Sequence, residues 1–482
     1  MVASFNFDIP ATDKTTSSYD GTEHKVTSIF SRLNYNYDEK YLFTGIIRRD
    51  GSSRFGLNNR YGIFPSFSLG WNTYKEDFWT QNEIIDQLKI RGGWGVTGND
   101  AIPDFGYLAL VNGGRNYTIG LDGATIITGY SPNAPDNPDL KWEETAQLNV
   151  GFEAKLFNTL NVTFDYFVKK TSGILQYTEI PGYVGATGSP LGNVADMENS
   201  GIELELGYRK EFGDLKFSAN GNISYLKNEV TYLGQGKDFI TSGAAGYQSM
   251  GNITRTQVGE GYNSFYGFET NGIFQNATEV NAYTNTAGGL IQPNASPGDF
   301  KWVDANGDGS ITDDDKQFLG SPIPKYTFGL TLNADFKGFD ILVFTQGAAG
   351  NKIFQGLRRL DVPTANYQSV ALSRWTGEGT SNDYPRLITS DPNGNFGRMS
   401  DFYLEDGDYV RLKTVQIGYT LPSNAISKIG AQKLRLYVTG ENLATLTNYT
   451  GYDPEIGGNV LGIDRGYYPQ ARSFMFGVNL QF

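Results

Sequence analysis

One segment of this 482-residue chain has the residue types and spacing of a cation-binding loop. Asp304, Asn306 and Asp308 occupy its first, third and fifth positions, Ser310 the seventh and Asp315 the twelfth. This is the D-x-N-x-D-G pattern, in which side-chain oxygens and one backbone carbonyl surround Ca²⁺. We therefore predict a calcium site formed by Asp304, Asn306, Asp308, Ser310 and Asp315.

The same loop also has an interpretation without a metal. Aspartate at the twelfth position is shorter than the usual glutamate, and the flanking sequence lacks the pattern of two long helices. An acidic loop closed by turns of Asp and Asn side chains is the alternative. In either case we expect the loop to brace the structure and to take no part in catalysis.

Residue groupings for catalysis are scarce. The chain has one histidine, His24, and no cysteine, so it offers no convincing Ser–His–Asp or Cys–His arrangement. Glu203 and Glu205 share one face of a strand, where the charged lining of a channel explains them better than an acid–base pair does. The sequence therefore predicts a protein that is not an enzyme.

Aromatic side chains in the long loops are the candidate ligand contacts. Tyr and Trp rings can stack on sugars or on peptide side chains, but they also form interfacial girdles or pack within loops. The candidates are Trp375, Tyr384, Tyr449, Tyr452, Tyr467 and Tyr468.

Composition restricts the partners and the class of protein. The formal net charge of −13 argues against nucleic acid as a partner. No run of residues approaches the roughly 18 apolar positions that a membrane helix needs. The absence of cysteine fits an exported protein without disulfides, and it also fits many cytosolic ones.

The elements that must position these residues are strands, because apolar residues recur at every second position. In the last segment Phe474, Phe476, Val478, Leu480 and Phe482 share one face, opposite small or polar residues. The same alternation predicts fourteen strands, at about 2–9, 26–37, 41–50, 62–74, 86–97, 145–155, 160–170, 200–211, 214–226, 326–337, 339–348, 402–421, 432–445 and 471–482.

The connections between these strands alternate in length, which places the long loops on one side of the sheet. Short turns near 158, 213 and 338 alternate with loops at 98–144, 171–199, 227–325, 349–401 and 446–470. Outer-membrane barrels have short periplasmic turns and long extracellular loops. We therefore predict an all-β protein, an antiparallel transmembrane β-barrel surrounded by outer-membrane lipid.

Several segments resemble the SusC/RagA class of TonB-dependent outer-membrane transporters. Examples are RRDGSSRFGLNNRYGIFPSFSLGW at 48–71, LKIRGGWGVTGN at 88–99, GDFKWVDANGDGSITDDDK at 298–316 and DFYLEDGDYVRLKTVQIGYTLP at 401–422. The resemblance implies a 22-stranded barrel with an N-terminal plug that contacts TonB, and a SusD-like lipoprotein at the extracellular face. It also implies import of oligosaccharides or oligopeptides across the cell outer membrane.

The chain departs from that pattern in extent. It has about 14 of the expected 22 strands and no segment resembling the plug, so we expect residues 1–482 to be the C-terminal portion of the barrel. One alternative function is a passive porin or surface glycan-binding barrel without TonB coupling. Another is a secreted β-rich glycan-binding protein or glycosidase.

Overall fold

Thirteen antiparallel strands form one continuous sheet, which we call the wall. The structure, a computed structural model, describes residues 23–482 except 81, 120–124, 179, 187, 235, 242–246, 361, 363, 427–429 and 457–461. Each wall strand pairs with its neighbours along the chain. Strands β1 to β13 are Val26–Tyr37, Tyr41–Ser52, Tyr61–Asn72, Ile85–Asn99, Glu143–Leu156, Leu160–Tyr177, Leu191–Phe212, Leu215–Leu233, Tyr326–Phe336, Phe339–Ala349, Tyr409–Thr420, Lys433–Thr447 and Ser473–Gln481.

The sequence prediction of the wall is confirmed for twelve of the predicted strands, and the predicted strand 2–9 lies outside the described residues. The prediction of one strand over 402–421 is wrong. Leu404–Asp406 pairs outside the wall, and β11 begins only at Tyr409. The strand is interrupted at Gly407, whose N–H donates to the Asn351 carbonyl at 2.9 Å and where a Cβ would lie 2.3 Å from the Asn351 side chain.

The wall has one apolar and one polar face. Residues paired directly across antiparallel strands lie on the same face. Val150, Tyr166, Ile202 and Tyr225 are successive partners across β5 to β8, and all four are apolar or aromatic. The adjacent residues on the same four strands point to the opposite face, where the successive partners are Gly151, Asp165, Glu203 and Ser224. The apolar face is solvent-exposed in the isolated chain, as expected for a surface that contacts lipid.

The connections divide between the two edges of the wall as predicted. The tight turns 38–40, 157–159, 213–214 and 337–338 lie on one edge. In the turn 337–338 both Lys337 and Gly338 have positive φ, as two-residue hairpins of this type require. The loops 100–142, 178–190, 234–325, 350–408 and 448–472 lie on the other edge. The length of a connection does not by itself show on which edge it lies. The connection 53–60 lies on the edge with the long loops, yet it is shorter than the connections 73–84 and 421–432, which lie on the edge with the tight turns.

Most of the buried apolar side chains lie in the long loops and the loop ends of the strands. The largest cluster contains Met250, Ile253, Phe265, Phe354, Met399, Tyr403 and Ile463, and a neighbouring cluster contains Phe268, Ile273, Phe300 and Trp302. The long loops therefore form a packed layer, which we call the loop block, rather than separate mobile segments.

The loop block and the remaining connections contain only short elements. The additional strands are Val111–Asn112, Tyr117–Ile119, Thr125–Ile127, Ser131–Pro132, Phe239–Ile240, Thr254–Gln257, Ser264–Gly267, Thr270–Ile273, Phe300–Trp302, Gln317–Gly320, Lys352–Gln355, Leu404–Asp406 and Ile463–Asp464. The helices are α1 (Ala277–Ala282) and α2 (Ser423–Ile426), with 3-10 turns at Thr73–Lys75, Gly182–Val184, Tyr247–Ser249, Asp313–Asp315, Ser369–Ser373 and Asp401–Tyr403. Within the described ranges, no helix has the length and apolar character needed to cross a membrane.

Candidate functional site

The polar face of the wall carries an ion-pair network across β4, β5 and β6. The Arg91 guanidinium lies 2.9 Å from a Glu153 carboxylate oxygen and 2.6 Å from Asp165, and Lys89 Nζ lies 3.3 Å from Glu153. Two cations therefore balance two carboxylates on this part of the face.

The next strand adds negative charge that these cations do not balance. Glu203 and Glu205 are exposed on the polar face of β7, beside Asp165 and Asn222 in a shallow hollow of about 210 Å³. Among the described residues, neither glutamate forms an ion pair. We interpret them as the acidic lining of an aqueous interior, as the sequence indicated.

The last long loop is attached to the wall by a buried arginine. Arg411 on β11 is 2% exposed, and its guanidinium pairs with Asp453 and, at 2.8 Å, with Glu455. Its Nε also donates to the Thr445 hydroxyl of β12 at 2.9 Å. Burial acts to raise the pKa of Asp453, but hydrogen bonds from the Gln470 N–H and Arg411 outweigh burial and lower it.

Two of the six candidate aromatics are buried in the loop block. Tyr384 is 5% exposed and packs against Phe396 and Phe402, and burial raises its pKa to about 12. Tyr449 is 6% exposed, and its hydroxyl donates to Asp464 Oδ2 at 2.5 Å. Burial, and then the hydrogen bond to Asp464, raises the pKa of Tyr449. In this conformation both rings pack within the protein instead of facing a ligand.

Replacing Tyr449 with phenylalanine is expected to destabilise the final loop. Asp464 is itself 1% exposed, so losing the hydroxyl leaves Oδ2 without this donor at a cost of about 1–3 kcal/mol. The expected result is a lower thermal midpoint of the folded protein. The matched variant Tyr452→Phe, at an exposed position, is expected to leave the midpoint unchanged. Equal midpoints for both variants would contradict the role of this hydrogen bond.

The other four candidates differ in accessibility. Trp375 is half-buried, donates to Gln275 Oε1 at 3.2 Å and covers Gly298, where a Cβ would lie 2.4 Å from its ring. Tyr467 is half-buried, whereas Tyr452 and Tyr468 are 67% and 89% exposed. Ligand contact by these aromatic side chains therefore stays a prediction. Tyr452 and Tyr468 are the most accessible of the six for such contact.

The candidate cation loop is organised by hydrogen bonds from its own backbone. Asp304 accepts from the Gly307 and Gly309 N–H groups at 2.8 and 2.9 Å. Asp315 is fully buried, and its oxygens accept from the Ala305 and Thr312 N–H groups. The Asn306 side chain accepts a hydrogen bond from the Asp308 N–H, and the Asp308 side chain accepts one from the Ser310 N–H. In the described part of the chain, no three His, Cys, Asp or Glu side chains are grouped as metal ligands.

Sequence reasoning did not identify Arg411 as the residue that holds the last loop. Arginine beside alternating apolar residues looks like any other polar-face residue, and its partner Asp453 lies 42 positions away. The pattern D-x-E at Asp453 and Glu455 was the available signal, but nothing local connects it with β11.

Comparison with known proteins identifies the class. An antiparallel wall with an apolar outer face and a polar inner face defines a membrane β-barrel. Residues 2–239 match the family model for the TonB-dependent receptor-like β-barrel. TonB-dependent receptor P3 of Formosa agariphila is 34% identical over 95% of this chain and 46% of its own length. TonB-dependent receptor SusC of Bacteroides thetaiotaomicron is 30% identical over 96% of this chain and 44% of its own length.

A solved structure agrees with these relatives. The RagAB peptide transporter matches with a TM-score of 0.78 and 27% identity, over 95% of this chain and 48% of that one. The chain belongs to the TonB-dependent receptor family, within the barrel part that SusC and RagA share, and it is an outer-membrane protein. Its relatives are receptors, which confirms that it is not an enzyme. The chain spans about half the length of the curated relatives it matches.

Proposed function

We propose that this chain is part of the barrel of a SusC-like importer of oligosaccharides or oligopeptides. The observation that carries the proposal is the wall itself, whose apolar face suits lipid and whose polar face carries the Arg91–Asp165 network and Glu203. Its similarity to SusC and to a peptide transporter supports import as the activity. Within the described residues β1 and β13 each pair on one side only, and we propose that further strands complete the barrel.

Import of this kind needs no covalent chemistry. We propose that the ligand binds among the outer loops, and that a plug domain pulled by TonB then opens a path along the polar face. A SusD-like lipoprotein would cover the loop edge, where the packed loop block offers a firm surface. The chain then represents the C-terminal portion of the barrel of the complete transporter.

Uptake by cells tests the proposed import. We expect deletion of the gene to abolish uptake of a labelled oligosaccharide or oligopeptide, and restoration of the gene to recover it. A protonophore should stop uptake in the complemented cells, because the proposed mechanism uses the proton gradient. Uptake that persists with the protonophore would instead indicate a passive porin, and unchanged uptake after deletion would contradict import.

We also propose that the loop 304–315 binds Ca²⁺. The sequence pattern supports this, as do the positive φ angles of Gly307 and Gly309, which wrap the chain around Asp304. We expect Ca²⁺ to raise the thermal midpoint. The free energy of unfolding should increase by about 1.4 kcal/mol when the concentration of free Ca²⁺ is about tenfold above its Kd. Asp304→Asn should remove this effect, and Asp314→Asn, at an exposed non-ligand position, should keep it. An unchanged midpoint, or an equal rise in Asp304→Asn, would refute the site.

A further inference from the structure

One arginine of the wall is surrounded by apolar side chains that are open to the outside. Arg49 on β2 is exposed, and its direct partners on β1 and β3 are Ile29 and Ile63. Both isoleucines are exposed, as is Ile47, which precedes Arg49 on the same face of β2. A positive charge among exposed apolar residues needs an explanation, because a charge that faces hydrocarbon is costly.

The strand pairing shows that Arg49 is on the lipid-facing side. Phe43 and Arg49 are separated by an even number of residues in β2, whose pairing with both neighbours is regular, so they share a face. Phe43 pairs with Leu69 on β3. Leu69 pairs with Gly92 on β4, which in turn pairs with Val150 on the apolar face. Arg49 therefore belongs to the same apolar face as Val150.

Arg49 lies near the upper boundary of this face, toward the loop edge. At the turn edge Tyr41 is paired with Tyr37 and Trp71, an aromatic group of the kind that marks a membrane interface. Arg49 is eight positions beyond Tyr41 along β2. With a rise of about 3.3 Å per residue and a strand tilt of about 40°, it lies about 20 Å above Tyr41 along the membrane normal. The apolar band of such barrels is about 25 Å tall.

Tyr61 directs the guanidinium further toward the loop edge. The Arg49 Cζ lies 4.0 Å from the centroid of the Tyr61 ring, which is a cation–π contact. Tyr61 is the partner of Gly51, two positions beyond Arg49. A Cβ on Gly51 would lie 2.5 Å from the ring, so the ring packs directly on the backbone of β2. The guanidinium is thus held at the level of the outer headgroups, since the tight turns of such barrels are periplasmic and the long loops extracellular.

Arg49 differs from the other cations on this face near the loop edge. Lys170 on β6 is 3.1 Å from Glu198, and Lys227 on β8 is 2.5 Å from Glu229, and all four side chains are on the lipid-facing side. No carboxylate in the described part of the chain pairs with Arg49. The protein therefore neutralises two of these cations itself and leaves the third for a group that comes from outside.

The surroundings of Arg49 define the chemistry of that group. The planar guanidinium presents parallel N–H donors that fit a phosphate, and a charged hydrogen bond of this kind is stronger than a neutral one. The exposed side chains of Ile29, Ile47 and Ile63 suit hydrocarbon and not a soluble anion. A group that fits both parts combines a phosphate with acyl chains, which is the chemistry of a phosphorylated membrane lipid.

We propose that Arg49, stacked on Tyr61, binds the phosphate of a glycolipid in the outer leaflet of the outer membrane. The acyl chains of this lipid lie against Ile29, Ile47 and Ile63. The proposal depends on the outer-membrane location of the wall and is independent of the import function proposed above. It assigns a lipid site to the outside of the barrel, away from any path along the polar face.

Titration followed by native mass spectrometry tests the proposal on the protein as its gene encodes it, purified from outer membranes into neutral detergent. The probes are lipid A that carries its phosphate groups and the same lipid A after removal of phosphate. The phosphorylated form should bind about tenfold more tightly or better, because it alone supplies the charged hydrogen bonds. Equal affinities for the two forms would overturn the proposal. Excess inorganic phosphate should leave the lipid bound, and displacement of the lipid would show a site for the free anion instead.

Substitutions place the preference for phosphate at Arg49. Arg49→Gln should remove most of the preference, and Arg49→Lys should keep part of it, since lysine retains the charge without the planar fork. Lys170→Gln is the matched control, because Lys170 is a lipid-facing cation that is already paired. It should bind both forms of lipid A as the unmodified protein does. A heat-modifiable band on an unboiled gel confirms that each variant is folded, and a folded Arg49→Gln protein with an unchanged preference would refute the site.

The contribution of Tyr61 is tested separately. Tyr61→Leu keeps an apolar side chain beside Gly51 but removes the ring that holds the guanidinium. We expect the preference for phosphorylated lipid A to fall to a value between those of the unmodified protein and Arg49→Gln. A full preference in Tyr61→Leu would show that the ring does not position Arg49 for the lipid.

Discussion

Val150→Arg is expected to prevent stable assembly of the wall in the outer membrane. Val150 lies in the middle of β5, is 49% exposed and is paired with Gly92 and Tyr166 on the apolar face. An arginine facing lipid near the bilayer midplane costs about 2–4 kcal/mol. We expect the amount of folded protein in outer-membrane fractions to fall several-fold, measured as the heat-modifiable band on a gel run without boiling.

The neighbouring residue supplies the control. Asn149 precedes Val150 on the same strand and faces the polar side, where its Oδ1 accepts from Gln147 Nε2 at 2.8 Å. Asn149→Arg introduces the same charge at the same depth and should leave the folded band at its normal level. Comparable losses in both variants would show that the two faces are wrongly assigned.

The wall could be predicted from sequence because its two environments alternate at every residue. In β6, Val162, Phe164, Tyr166 and Val168 fall on one face, and this period of two is a local signal. Phe167 breaks the pattern, and the structure gives the reason. Its ring lies against Gly201 on β7, where a Cβ would come within 3.0 Å of it. The polar face therefore accepts an aromatic where the neighbouring strand offers glycine.

The loop ends of the strands could not be predicted in the same way. Strand β6 continues to Tyr177, beyond its predicted end at 170. Strand β7 begins at Leu191, before its predicted start at 200. Near the loop block both faces of a strand are covered, and the adjacent residues Val194 and Ala195 are both buried. When both sides of a strand are buried, alternation disappears and periodicity no longer marks the element.

The roles of individual loop residues were also beyond local sequence patterns. Tyr384 and Tyr468 are both loop tyrosines, yet one is buried against Phe402 and the other is almost fully exposed. The difference arises from contacts between segments far apart in the chain. The turns of the loop 304–315, in contrast, could be predicted from spacing alone, because their hydrogen bonds run between residues within one short segment. Binding of Ca²⁺ by this loop stays a prediction.

Arg411→Met is expected to release the final loop from the wall. Methionine keeps much of the packing of the arginine stem but leaves the Asp453 carboxylate without its buried counter-charge. Breaking a buried ion pair by removing one partner costs about 3–5 kcal/mol. We expect a lower thermal midpoint of the folded protein and faster cleavage of residues 448–472 in limited proteolysis. Arg472→Met, at an exposed position, should change neither measurement.

The pH dependence of stability provides a second and independent measurement. The pKa of Asp453 is lowered in the folded protein, so the carboxylate contributes stability above its unfolded pKa of about 3.9 and loses it as the pH falls through the folded value. The unmodified protein should therefore lose stability in this acid range. Arg411→Met removes one cause of the lowered pKa, so its stability should depend less on pH there. Parallel pH profiles for the two proteins would show that the Arg411–Asp453 pair does not attach the loop, because only a coupled pair changes the titration of its partner.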